Sequence, residues 1–437
     1  MTDPNPFVMG LAGIGALLAL LACSMPVAFS MAVVGGVGLL ALYGNATPVL
    51  SLVADTLHGK FADYNLTVIP LFIFMGQMTF HTGMSAKLFR AAYCWMGWVR
   101  GGLAMATVGA CAAFGTICGS GPATAATMAA VALPEMRRFK YGDALAAGVV
   151  ASGGGLGMMI PPSVVFIVYG ILTQESIGRL FIAGIVPGLL CAFLFCAVIA
   201  VWCRADPGVA PGVARVSWRE RLASLRGVWQ ILALFALVMG GMFAGFFSPT
   251  EGAAVGAAGS VAVGAMGRTF RWRDVWRATG ETVRMSCMVM VIVTGAEIFG
   301  KFLGVTELPM RLAEWLAALH MPRMAVVALA MLFYLGAGCF IDALALILLT
   351  LPIFNPVMKQ LGIDPVWFGV MIVLVVQMGV ITPPVGVNVY VVNGVERGIP
   401  LQTVFRGSMP FLFALVAAAA LLMLFPGLAT WLPNLAH

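Results

Sequence analysis

Charge is what this sequence has least of: 9% of its 437 residues are Asp, Glu, Lys or Arg, against 61% hydrophobic. A soluble domain averages about 25% charged residues, so there is too little charge here to solvate a globular surface. Histidine is also scarce. His58, His81, His320 and His437 are scattered and form no ligand pair. The nine cysteines fall mostly in apolar runs, without the spacing of a disulfide framework or a zinc site. They read as small hydrophobes between helices. There is no P-loop, so ATP hydrolysis by this chain is not supported, and no metalloprotease, triad or redox motif is present. The alternating pattern of membrane barrel strands is missing as well. Met1 to Pro6 holds Asp3 and no Lys or Arg; a signal peptide wants a basic start, so Phe7 to Cys23 reads as a retained first span.

What is present are long apolar runs. Leu180 to Trp202 and Val228 to Thr250 carry no charge or almost none. A bilayer core needs about 20 apolar residues per helix, and backbone groups there must bond internally, which makes the runs helices. The fold expected is an all-α integral membrane protein. Ten full spans are expected, at 7–23, 26–44, 64–80, 144–174, 180–202, 228–247, 250–267, 284–303, 366–395 and 403–426. Two further segments, 101–136 and 324–358, are too long for one crossing and too short for two. Gly-rich sequence interrupts each near its middle, which fits a re-entrant hairpin buried in protein or lining a cavity.

The net charge of +7 lies in short loops. With the N-terminus outside and both hairpins re-entrant, the loops at 81–100, 135–143, 203–227, 268–284 and 396–406 face the cytoplasm and hold 18 of the 24 Lys and Arg residues. The positive-inside rule accounts for that bias without a nucleic-acid partner. The first hairpin then opens to the cytoplasm and the second to the outside.

Spacing reveals a repeat. Ser120 to Pro161 is 41 residues, and so is Asp342 to Pro383. At one offset of 222, Pro134 and Met136 match Pro356 and Met358, Gly157 matches Gly379, and Pro161-Pro162 matches Pro383-Pro384. Gly184 and Pro187 match Gly407 and Pro410 with one residue inserted. The halves are 1–227 and 228–437, each with an arm helix, a hairpin and a broken helix, in opposite orientations. Inverted repeats and discontinuous helices are a mark of secondary transporters.

The candidate chemistry sits at the tips and breaks. In Gly119-Ser120-Gly121-Pro122-Ala123-Thr124, Ser120 looks like an N-cap with proline in the first turn; the helix end suits a carboxylate and the oxygens suit sodium. Asp342 holds the repeat-equivalent position, and an acid at membrane depth is functional by default. It could ligate a cation, carry a proton, or cap the second arm. Double proline at 161–162 and 383–384 breaks the helices and frees carbonyls, with Ser163, Thr382 and Asn388 as flanking oxygen donors. Small residues that pack and cap helices are the plain alternative for each motif alone. Glu297 and Lys301 are expected to pair on one helix. Glu251 is expected to complement a helix dipole. Met84 to Arg100 and Pro309 to Leu319 read as interfacial arm helices.

These residues resemble the large membrane subunit of tripartite ATP-independent periplasmic (TRAP) transporters. The likeness covers essentially the whole chain. It is strongest at Ile69–Gly76, around Ser120, at Ile160-Pro161-Pro162-Ser163, at Ser248–Glu251, around Asp342 and from Thr382 to Asn388; Gly252 departs from an expected alanine. The resemblance implies sodium-driven import of an organic acid across the bacterial inner membrane. It implies two partners, a small four-helix membrane subunit and a periplasmic substrate-binding protein, and an elevator-type mechanism. By position it places cation sites near Ser120, Thr124, Asp342 and Thr382, without assigning individual ligands. Two readings stand beside it. One is a stand-alone proton- or sodium-coupled carboxylate or ion exchanger of similar fold. The other is a membrane enzyme or scaffold, for which no catalytic constellation is visible.

Overall fold

The computed structural model describes residues 5–210, 217–266, 271–318 and 321–435. Residues 1–4, parts of the basic loops at 203–227 and 268–284, and His320 and His437 lie outside the described residues. Among those described, every regular element is helical.

The chain begins with two 17-residue apolar helices, Pro6–Ala22 and Val27–Tyr43. At 1.5 Å per residue each reaches about 26 Å. Helices Tyr64–His81 and Met84–Met96 meet at a 71° bend, the second being the expected first arm. The same order recurs later: helices Trp229–Phe243, Pro249–Met266 and Trp272–Val305 lead into the second arm, Leu308–Ala318. Five elements are long and apolar enough to cross a bilayer unaided: Asp143–Thr173, Ile177–Ala205, Trp272–Val305, Ala343–Gln360 and Leu401–Leu424.

Each hairpin is two helices joined by a tight tip. The first is Gly102–Cys118 and Gly121–Arg138, the second Arg323–Gly338 and Ala343–Gln360. The broken helices follow as expected from glycine and double proline. The first stops at Gly154, makes one turn over Leu156–Met159, runs extended to Ser163 and restarts at Val164. The second stops at Gly379 and restarts at Val387. The half of the second broken helix before its break is fully enclosed, every residue from Val366 to Gly379 being buried, whereas its restarted half buries only Asn388, Val389 and Val392.

Glycine permits this packing where backbones touch. A Cβ on Gly115 would lie 2.5 Å from Gly157 Cα, and one on Gly157 would lie 2.7 Å from Thr124 Oγ1. In the other half a Cβ on Gly379 would lie 2.6 Å from the carbonyl carbon of Gly338. Each hairpin therefore docks backbone-to-backbone on its own broken helix. The long helix Trp272–Val305 instead packs on the N-terminal helices, Phe302 filling the space beside Gly13 and Gly38.

Three short elements stand outside the expected spans: Ala46–Phe61, Trp218–Leu225 and Gly427–Leu435. The first corrects an expectation. Glu297 and Lys301 do not pair with each other; Lys60 Nζ lies 3.1 Å from Glu297 Oε2, and Lys301 Nζ donates to Thr56 Oγ1 at 2.7 Å. Both long-helix charges reach across to Ala46–Phe61. There Glu297 meets the half-buried Lys60 and Lys301 the buried Thr56, where an i,i+4 contact on one helix contributes only about 0.5 kcal/mol. Glu251 does act at a helix start, accepting from Ser248 N–H at 2.8 Å while Ser248 Oγ accepts from Glu251 N–H at 3.3 Å. That reciprocal pair is a capping box.

Candidate functional site

The first tip is shaped by Gly119, whose φ of +63° ends one arm and turns the chain into the next. A side chain there would be strained, and its Cβ would stand 3.0 Å from Pro162 O. Gly119 O accepts from Val164 N–H at 3.3 Å, which ties the tip to the restarted broken helix. Ser120 stands at the N-cap position in extended conformation, but its hydroxyl makes no cap bond, contrary to expectation. The N2 residue is Pro122, which has no N–H to offer a cap; Ser120 O accepts from Thr124 N–H at 3.1 Å, the first bond of the helix, and from Thr124 Oγ1 at 2.8 Å. The Ser120 hydroxyl is left free for another partner.

The second tip is closed differently. Asp342 caps Ala343–Gln360, its Oδ2 accepting from Leu344 N–H at 3.1 Å. A carboxylate at a helix N-terminus is favoured by the dipole as well as the cap. Cys339 O accepts from Val385 N–H at 3.3 Å, the counterpart of the Gly119–Val164 bond.

The two tips face one cavity of about 390 Å³. Gly119, Ser120 and Gly121 line one side and Asp342 and Ala343 another. Met158 and Val164 of the first break form the floor, and Ile73, Gln77, Met285 and Met288 come from the helices opposite. The walls are mainly apolar, so the polar groups are few and placed: a helix N-terminus with a free hydroxyl on one tip, a carboxylate on the other. The first favours an anion and the second a cation.

The other expected site residues do not line this cavity. Pro161, Pro162 and Ser163 are buried, and the Ser163 hydroxyl makes no hydrogen bond to the protein. Pro383 and Pro384 are exposed. Thr382 Oγ1 donates to Met378 O at 2.7 Å. Asn388 is fully buried; its Nδ2 donates to Ala151 O at 3.0 Å across the two broken helices, while Oδ1 is unpartnered. Sequence reasoning passed over Gln77, Gln377, Met158, Met285 and Met288. Gln77 Nε2 contacts Met285 Sδ at 3.4 Å at the cavity wall. Gln377, whose amide atoms are both buried and unpartnered, packs against Gly155, the residue at its repeat-equivalent position. The signal for both was available: each is a lone amide in an apolar run.

Helical hairpins whose tips meet between two broken helices, set against a scaffold with a membrane-length helix, define a secondary-transporter fold. The solved structure of the YdaH transporter of Alcanivorax borkumensis shares it, with a TM-score of 0.68 at 16% identity over 97% of this chain and 98% of that one. The profile described as "Tripartite ATP-independent periplasmic transporter, DctM component" matches residues 14–428, and the chain belongs to that family. It is 37% identical over 372 residues to the C4-dicarboxylate TRAP transporter large permease protein DctM of Pseudomonas aeruginosa, covering 85% of this chain and 86% of that protein. It is 33% identical to the sialic acid TRAP transporter large permease protein SiaM of Vibrio cholerae, covering 96% and 97%. Against the isethionate TRAP transporter permease protein DctMQ of Oleidesulfovibrio alaskensis it is 32% identical over 96% of this chain but only 65% of that longer protein. The relatives are permease subunits, and this chain is a multi-pass membrane permease of the same kind.

Proposed function

We propose that this chain imports an organic acid across the bacterial inner membrane, coupled to sodium, with two partners: a small four-helix membrane subunit and a periplasmic substrate-binding protein. The observation that carries the reading is the shared cavity, in which the Ser120 tip offers anion-seeking groups and Asp342 offers a carboxylate to a cation. Carboxylate and cation would enter together, each lowering the electrostatic cost of the other. The relatives' names span C4-dicarboxylates, sialic acid, isethionate and the zwitterion ectoine; each carries a carboxylate or sulfonate, which supports an acid group as the shared feature and leaves the substrate's identity to the binding protein.

The mechanism proposed is an elevator. Hairpins and broken helices are joined through backbone contacts at Gly115–Gly157 and Gly338–Gly379, and so form one body. Across the cavity the scaffold presents flexible methionines and Gln77, contacts that can slide. The bias of basic loops favours an N-terminus outside.

The test is the melting temperature of the purified chain in sodium, potassium and choline chloride at equal ionic strength, with Asp342→Asn alongside. A ligand of the folded state raises the melting temperature by mass action. Asparagine caps helices about as well as aspartate, so the substitution removes charge and keeps the cap. A sodium-specific rise that shrinks in Asp342→Asn is expected. No sodium response in the chain assembled with its small subunit, together with a response to pH through Asp342, would turn the reading to proton coupling.

A further inference from the structure

Away from the central cavity, the first arm helix Met84–Met96 and the short helix Trp218–Leu225 enclose a second one, of about 480 Å³. Its walls follow helical spacing on both sides. Lys87, Arg90, Ala91 and Cys94 come from one helix; Glu220, Ala223, Ser224 and Gly227 come from the other and the turn after it. The volume falls within the range of about 300–1,000 Å³ of small-molecule sites.

The charges in it are uncommitted. Among the described residues neither Lys87 nor Arg90 belongs to any ion pair, although Lys87 is half-buried. The one carboxylate in the wall, Glu220, is engaged: it accepts from Ser217 N–H at 3.2 Å and completes a capping box. A third cation adjoins. Arg221 stacks on the Trp218 ring at 4.8 Å, with a buried Nε that has no partner. Trp218 in turn packs edge-on against Trp95 at 6.4 Å. Trp95, Trp98, Trp218 and Trp229 are all exposed around this end of the molecule.

Unpaired cations beside a ring of exposed tryptophans are the chemistry of a membrane interface, where indoles sit at headgroup level and basic pockets take anionic headgroups. Both helices come from the loops, 81–100 and 203–227, whose basic excess puts them on the cytoplasmic side. We infer that this cavity binds the phosphate headgroup of an anionic phospholipid of the cytoplasmic leaflet, with Lys87 and Arg90 on the phosphate and the tryptophans flanking its acyl chains. A zwitterionic lipid would bring its own cation against Lys87 and Arg90 and is disfavoured. The site ties the arm to the lipid at the point where the first hairpin enters.

The experiment measures the melting temperature of the delipidated full chain in detergent while titrating short-chain phosphatidylglycerol, phosphatidylcholine with the same chains, or inorganic phosphate. Wild type is compared with Lys87→Gln/Arg90→Gln and with the charge-keeping Lys87→Arg/Arg90→Lys. The expected result is a saturable rise with phosphatidylglycerol only. The half-saturating concentration should be about tenfold higher in the neutral variant and little changed in the charge-keeping one. Should the neutral pair fail to melt cooperatively, the two single glutamine variants carry the comparison. An equal rise with phosphatidylcholine, an undiminished rise in the neutral variants, or no rise with phosphatidylglycerol would overturn the inference. An equal rise with inorganic phosphate alone would replace the lipid by a free anion.

Discussion

Gly115→Ala tests whether the first hairpin and its broken helix move as one body because their backbones touch. In an open helix interior, alanine for glycine stabilises by about 1 kcal/mol. At Gly115 the new methyl would stand 2.5 Å from Gly157 Cα and 2.9 Å from Gly157 N. Carbon atoms sit comfortably about 3.5 Å apart, so the two helices must part by roughly 1 Å. The obstacle is backbone, and no side chain can swing away. Overpacking of this kind costs about 1–3 kcal/mol, and the rigid contact argues for the upper end. The net expectation is a loss of about 2 kcal/mol after the helix gain is subtracted. Gly379→Ala, whose methyl would meet Gly338 at 2.6 Å, should behave alike. Gly336 is the control: it lies in a hairpin arm with nothing within 4 Å of its Cβ position, so Gly336→Ala should leave stability unchanged or raise it. Melting temperatures in detergent, measured side by side, read the order. If Gly115→Ala melts at or above wild type, as Gly336→Ala should, the backbone contact is not what joins hairpin to broken helix.

Two ion-pair predictions follow from the same geometry. Arg137 bonds Asp143 at 3.1 Å and Glu396 at 2.8 Å, linking the end of the first hairpin to the first residues of one broken helix and the last of the other. With its side chain about a third exposed, Arg137→Met should cost about 1 kcal/mol after screening, and added salt should narrow the gap to wild type in a melting scan. Lys60→Met leaves Glu297 facing protein without its cation. A loss of about 1–2 kcal/mol is expected, with recovery in Lys60→Met/Glu297→Gln, because an orphaned charge costs more than an absent pair; a double variant no more stable than the single one would refute the pairing.

The elements legible in the sequence were those written in strong local chemistry. Hairpin tips announced themselves by Gly119-Ser120-Gly121-Pro122 and by a lone Asp342, breaks by double proline, and the relation between them by one constant offset. The helix Ala46–Phe61 was not legible as an element, because Asp55, His58 and Lys60 interrupt its apolar character and its role is to pair with the long helix. For the same reason the Glu297–Lys301 expectation failed: spacing on one helix says which side chains are near each other, and nothing about a third residue folded against both. Met285 and Met288 were indistinguishable from lipid-facing residues until the fold turned them toward the tips. Ser120 misled in a smaller way. Its sequence position was that of a cap, but its hydroxyl makes no cap bond, and Pro122 two residues on has no N–H to supply one.

The two tips, repeat-equivalent in position, hold unlike charges. Both tips place a helix N-terminus inside the protein, and they treat it differently. The first has no side-chain cap, leaves its N-terminal N–H groups and the Ser120 hydroxyl facing the cavity, and adds no charge. The second closes through the Asp342 carboxylate and adds one. Two neutral tips would leave two helix N-termini competing for one anion with nothing to hold a coupling cation. Two acidic tips would repel the acid proposed as substrate. One of each gives the cavity a positive end and a negative end. On the proposed coupling of an organic acid to a cation, the divergence of Ser120 from Asp342, at positions the repeat makes equivalent, gives each ion its own end of the cavity.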